Sequence, residues 1–220
     1  MTDRILVINP NSSHDVTQRM SKALDGLRFE GGPQIECMTL EEGPPGVETE
    51  THLFEVAGPI VDTVAREQNR TSAFVIACFS DPGLYAAREA SRVPVYGIAQ
   101  CGYAAALAAG ERFGVISILS GSVARHRRYL ASLGLADRLA ADLAIDMGVT
   151  ELADGDRVLD RMTEVGAMLK QKHGADVVVM GCAGMAQYRG PLEDRLDIPV
   201  IDPTQAATAM ALSAVQAASH

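Results

Sequence analysis

The chain has 220 residues, 47% of them hydrophobic, which is enough apolar material for one large core or two small ones. Its 19 basic and 28 acidic side chains give a formal charge of −9, and no dense lysine or arginine tract runs along it, so nucleic acid is not an expected partner. Apolar stretches fall short of the roughly 20 residues a membrane span needs, and Met1-Thr2-Asp3-Arg4 leads directly into a strand-like run with no secretory segment.

Strand and helix patterns alternate from there on. Ile5–Ile8 reads as the first strand, and Ser12 with Asp15 three residues later makes a capping-box-like start for a helix through about Leu27. A strand over Gln34–Leu40, a loop at 41–49 and a helix over about Glu50–Asn69 follow. Next come the apolar run AFVIAC (73–78), a helix from Pro82, a strand near Val93–Gly97 and an alanine-rich helix at 103–109. The second half repeats the plan: strand 113–117, helix 120–133, strand 139–146 and helix 156–173. Then come the run ADVVVMGC (175–182), a short helix, strand 198–201 and a closing helix 203–217. Within 156–173, Val158, Met162, Val165 and Leu169 recur at helical spacing and mark one buried face. The tract Arg125-His126-Arg127-Arg128 reads as a solvated helix face, and the histidines at 14, 52, 126, 173 and 220 share no pattern beyond surface or terminal positions.

The halves also match residue by residue. RILVINPNSS (4–13) aligns with RFGVISILSG (112–121) at an offset of 108, Cys78 with Cys182 at 104, and Pro94 with Pro199 at 105. Three matches in order at nearly constant offset point to duplication of a unit of about a hundred residues. The expected fold is α/β: two pseudo-symmetric domains, each a parallel sheet flanked by helices, with the active site in the cleft between them. The expected division is 1–98 plus the C-terminal helix (203–220), and 99–202.

Cys78 and Cys182 end equivalent apolar strands, where ligands of parallel sheets bind. Inverting a stereocentre beside a carbonyl requires one group to remove a proton from one face and a second to return one to the other. A thiol, with a free pKa of about 8.5, suits both roles. Asp81 and Pro82 read as the cap and first position of the helix after Cys78, whose N-terminus would favour a thiolate. Gly184 permits a turn whose N–H groups would face an enolate oxygen. Asn9, Asn11 and Ser12 read equally as turn and capping residues or as ligand contacts, and Ser117 and Ser120 as caps of the second-half helix. Cys37 and Cys101 lack repeat partners and are assigned to packing. With no CxxC pair and no metal-ligand spacing among the four cysteines, a reduced cytoplasmic protein without a metal is expected.

INPNSS near the start, CFSDPGL (78–84) and VVMGCAGMA (178–186) together resemble the hydantoin racemase family, which includes allantoin racemases and falls within the aspartate/glutamate racemase superfamily. The resemblance covers essentially the whole chain. It implies a cofactor-independent racemase with Cys78 and Cys182 catalytic, no cofactor, and self-association into a homo-oligomer. Substrate contacts are then expected from Asn9, Asn11, Ser12, Phe79, Ser80, Ser117, Ala183 and Gly184. Amino-acid racemases of the superfamily carry Asn-Thr after the first cysteine and Thr-His after the second. Here Phe79-Ser80 and Ala183-Gly184 stand there, which favours a less charged cyclic imide. Gln100 replaces a glutamate frequent in hydantoin racemases. The expected substrate is therefore a 5-substituted hydantoin or allantoin, the alternatives being an aspartate- or glutamate-type amino acid, or ureide binding without turnover.

Overall fold

A computed structural model describes residues 3–218; Met1, Thr2, Ser219 and His220 lie outside the described residues. Two four-stranded parallel sheets are present. In the first, β1 (Arg4–Asn9), β2 (Gln34–Thr39), β3 (Ala73–Ile76) and β4 (Val95–Gly97) run in the order β2-β1-β3-β4. In the second, β5 (Phe113–Ser117), β6 (Leu139–Ala144), β7 (Val177–Met180) and β8 (Val200–Ile201) run β6-β5-β7-β8. The two orders coincide when β1 is laid on β5, as duplication requires. All strand pairs are parallel, so within each sheet every strand points the same way and each connection is a crossover.

Helices α1 (His14–Ala23), α2 (Glu50–Glu67) and α3 (Leu84–Ala90) join strands of the first sheet, and α4 (Ile98–Ala109) leads from it to the second. Helices α5 (Ser120–Ser132), α6 (Gly155–His173), α7 (Arg189–Leu196) and α8 (Pro203–Ala218) belong to the second half. Strand alternation sorts the core. Leu6, Ile8, Phe74 and Ile76 face Val56, Ile60 and Val64 of α2, and Ile116, Val178 and Met180 face the Val158–Met162–Val165–Leu169 stripe of α6. The opposite faces, carrying Ile5, Val7 and Val75 in one sheet and Val115, Val177 and Val179 in the other, share one central core. Its filling comes from α4 and α8, which lie against each other; α4 packs on β7 and β8 of the second sheet, and α8 on β1, β3 and β4 of the first.

Three local readings are corrected. Helix α1 is capped by Ser13, whose Oγ accepts from Val16 N, while Ser12 N donates to the Pro44 carbonyl in the neighbouring loop. Helix α3 begins at Leu84, because Asp81 and Gly83 both take left-handed backbone conformations (φ 48° and 69°) that helical geometry forbids. Asp81 is a cap, but of α4: its carboxylate accepts from Ala99 N at 2.9 Å, Gln100 N at 2.8 Å and the Tyr129 hydroxyl at 2.8 Å.

Candidate active site

The loops after β1, β3, β5 and β7 converge on one cavity, about 450 Å3 of empty space when its open mouth is included. Cys78 and Cys182 both line it. With them are Asn11, Phe79, Ser80, Ala183 and Gly184, so seven of the ten expected positions come together. Asn9, Ser12 and Ser117 do not line it. Asn9 is fully buried and its amide nitrogen donates to Asn11 Oδ1 and Thr17 Oγ1, which shapes the loop that carries Asn11. Cys37 and Cys101 lie elsewhere, in or against the central core, and the Gln100 side chain accepts from Arg88 outside the cavity.

Each thiol keeps some exposure to the cavity, but the packing around it is dense, and burial pushes both thiols up. Cys182 reaches about 11, burial being opposed by the Gly184 N–H, which donates to its sulfur at 3.4 Å. Cys78 is pushed higher, first by burial, then by the nearby Cys182 and Asp81 charges, with the Arg125 guanidinium and the Ser80 N–H opposing. The helix N-terminus expected to favour a Cys78 thiolate is absent from the first turn after it, since that loop folds around Asp81 instead.

The tract at 125–128 is not a uniform solvated face. Arg127 and Arg128 are exposed, and Arg128 pairs with Glu50. Arg125 turns into the cavity, donating to Ser80 Oγ (3.2 Å), Ser122 Oγ (3.1 Å) and the Glu48 carbonyl (3.4 Å). His126 is only 2% exposed and also lines the cavity. Sequence reasoning passed over both. The available signal was spacing: Ser122, His126 and Leu130 sit at i, i+4 and i+8, so they share the face of α5 turned inward, and the first two lie near the end where strand β5 delivers the chain to the site.

Val47 and Val149, from the loops after β2 and β6, line the cavity's apolar side, and Glu48 Oε1 accepts from Val149 N at 2.8 Å across the two halves. Among the described residues no group of three His, Cys, Asp or Glu side chains is placed to hold a metal ion, and no helix is long and apolar enough to cross a membrane.

Residues 5–211 match the profile of the family described as Asp/Glu/Hydantoin racemase. A hydantoin racemase of Paenarthrobacter aurescens is 33% identical over 219 residues, covering 96% of this chain and 91% of that one. Among solved structures, the allantoin racemase of Klebsiella pneumoniae superposes with a TM-score of 0.90 at 32% identity, over 99% of this chain and 89% of that chain. The allantoin racemase of Pseudomonas fluorescens gives 0.92 at 26% identity, over 98% and 92%.

Proposed function

The chain belongs to the Asp/Glu/hydantoin racemase family and is a racemase, and from that premise we propose that it inverts a 5-substituted hydantoin or allantoin by a two-thiol, cofactor-independent proton transfer. One sulfur removes the proton from the carbon beside a ring carbonyl, and the other returns a proton to the opposite face of the planar enolate. The observation that carries this reading is a pair of thiols, one from each copy of the repeat, lining a single cavity. Apolar walls from Val16, Val47, Ile118 and Val149 suit a flat ring more than a zwitterionic amino acid. The reading takes the two units as 1–98 joined by the closing helix, and 99–202, supported by the way α8 covers the first sheet and α4 the second.

Solvent deuterium tests it. Single enantiomers of allantoin, several 5-substituted hydantoins, aspartate and glutamate are incubated with the protein in D2O. A cyclic ureide is expected to lose optical rotation while gaining label at one carbon. Exchange confined to the amino acids would overturn the substrate class, and binding of a ureide without exchange would overturn turnover.

The thiol environments set a pH dependence. Burial raises both thiols, so the base is mostly protonated at neutral pH and its ionised fraction grows with pH. The kcat/KM profile is expected to rise by about tenfold per pH unit between pH 6 and 9, toward a limb set by Cys182 at about 11. A flat profile over that window would contradict the geometry of the free site.

A further inference from the structure

Three buried side chains behind the cavity form a closed hydrogen-bonded set. Ser117 Oγ donates to Asp142 Oδ1 at 2.5 Å, His126 Nδ1 lies 2.9 Å from Asp142 Oδ2, and Ser117 Oγ is 3.1 Å from the same Nδ1. The Asp142 side chain is fully buried and its carboxylate oxygens accept, so Nδ1 carries the proton and donates. Phe79, the residue after Cys78, meets the imidazole edge-to-face at 5.1 Å between centroids and fixes the ring plane. All protein hydrogen bonds recorded for the ring are made by Nδ1, and His126 lines the cavity that holds both thiols.

From this set we infer that His126 is a substrate-binding residue whose Nε2 accepts a ring N–H of the bound cyclic ureide, with Asp142 and Ser117 as its positioning residues. The inference rests on the proposed cyclic-ureide substrate and adds to it the recognition of a ring nitrogen. A Nδ1–H imidazole presents a lone pair on Nε2. Arg125 lines the cavity as a donor, and the other side-chain oxygens there are already engaged: Ser80 Oγ and Ser122 Oγ accept from Arg125, and Asn11 Oδ1 accepts from Asn9 Nδ2 and Ser13 N. Donors match the carbonyl and enolate oxygens of a hydantoin ring. An acceptor is what its N–H groups need, and a buried N–H left without one is costly.

The test compares a substrate hydantoin with its N1-methyl and N3-methyl analogues, in the parent protein and in two variants. His126→Asn keeps a donor near the Nδ1 position for Asp142 and removes the acceptor from the cavity. His126→Gln places an amide oxygen near Nε2. The parent is expected to disfavour one of the two methylated analogues by about 100-fold in kcat/KM, a preference that shrinks to about threefold or less in His126→Asn and stays above about tenfold in His126→Gln. Thermal unfolding of each variant checks that the fold survives. Unchanged discrimination at both nitrogens in folded His126→Asn would overturn the role of His126 while leaving the racemase reading intact. A parent protein inactive on every hydantoin and on allantoin would remove both.

Discussion

Replacing either Cys78 or Cys182 by serine is expected to lower racemisation by about a thousandfold or more, since a general acid–base group is worth roughly 10²–10⁴ and a serine hydroxyl ionises far too weakly to replace one. Cys37→Ser and Cys101→Ala are expected to keep most activity, because neither side chain reaches the cavity. The two active-site variants should differ from a simple loss in one way. Each retains one thiol, which in the two-thiol proposal faces the proton of one enantiomer. In D2O each variant should therefore wash label into a single hand of substrate with retention of configuration, and the two variants should choose opposite hands. Proton NMR of the substrate carbon and chiral chromatography read this directly. A folded Cys182→Ser protein that racemised at the parental rate would end the two-thiol mechanism, and exchange of the same hand by both variants would end the assignment of one thiol to each face.

The second large effect is on stability. The first helical amides after β8, Thr204 N and Gln205 N, are capped by Asp202 Oδ1 at 2.7 and 3.2 Å, a carboxylate two and three residues upstream. The repeat-equivalent amides after β4, Ala99 N and Gln100 N, receive the same service from Asp81, which arrives from another loop. The position matching Asp202 is Gly97, and a Cβ there would stand 2.2 Å from the Asp81 carboxyl carbon. Gly97 is thus required by a neighbouring carboxylate, since its own backbone (φ −99°) is open to any residue. Asp81→Ala is expected to cost about 3 kcal/mol by leaving two helix-end N–H groups and the Tyr129 hydroxyl unpaired. Gly97→Asp alone should destabilise comparably or more through the collision. The double variant Asp81→Ala/Gly97→Asp should recover the part of the loss due to the helix cap, because it rebuilds the second half's cap in the first, while the Tyr129 hydroxyl stays unpaired and alanine sits in the left-handed conformation at 81. Denaturant unfolding of the four proteins closes the cycle, and additive losses in the double variant would contradict the equivalence. Activity should not return with stability, because the loop from Cys78 to Gly83 is anchored through Asp81.

These two results mark where sequence was sufficient. Strand and helix order, the duplication and the meeting of Cys78 with Cys182 follow from local apolar patterns and constant offsets, and parallel topology sends both strand ends to one side. Capping by Asp81 was visible as a residue type but not as a partner, because the amides it serves lie 18 and 19 residues away and local spacing offered Pro82 instead. Arg125 and His126 were hidden for a related reason. Buried polar residues do not contribute to an apolar periodicity, so the inward face of α5 looked like its outward one, and only Leu130 announced burial. The cap of α1 fell one residue late because Ser12 and Ser13 are chemically equal, and the choice between them is made by the Pro44 carbonyl from the following loop.

The exchange of α4 and α8 between the sheets has a consequence for how such a molecule holds together. A half-chain on its own would leave one sheet face bare and its last helix projecting, and could be completed only by lending that helix to a twin and borrowing one in return, as in a two-fold swapped pair. Such a pair dissociates on dilution. Tethering the copies in one polypeptide makes the exchange intramolecular, so the cleft persists however scarce the protein becomes, and each copy is released from matching the other.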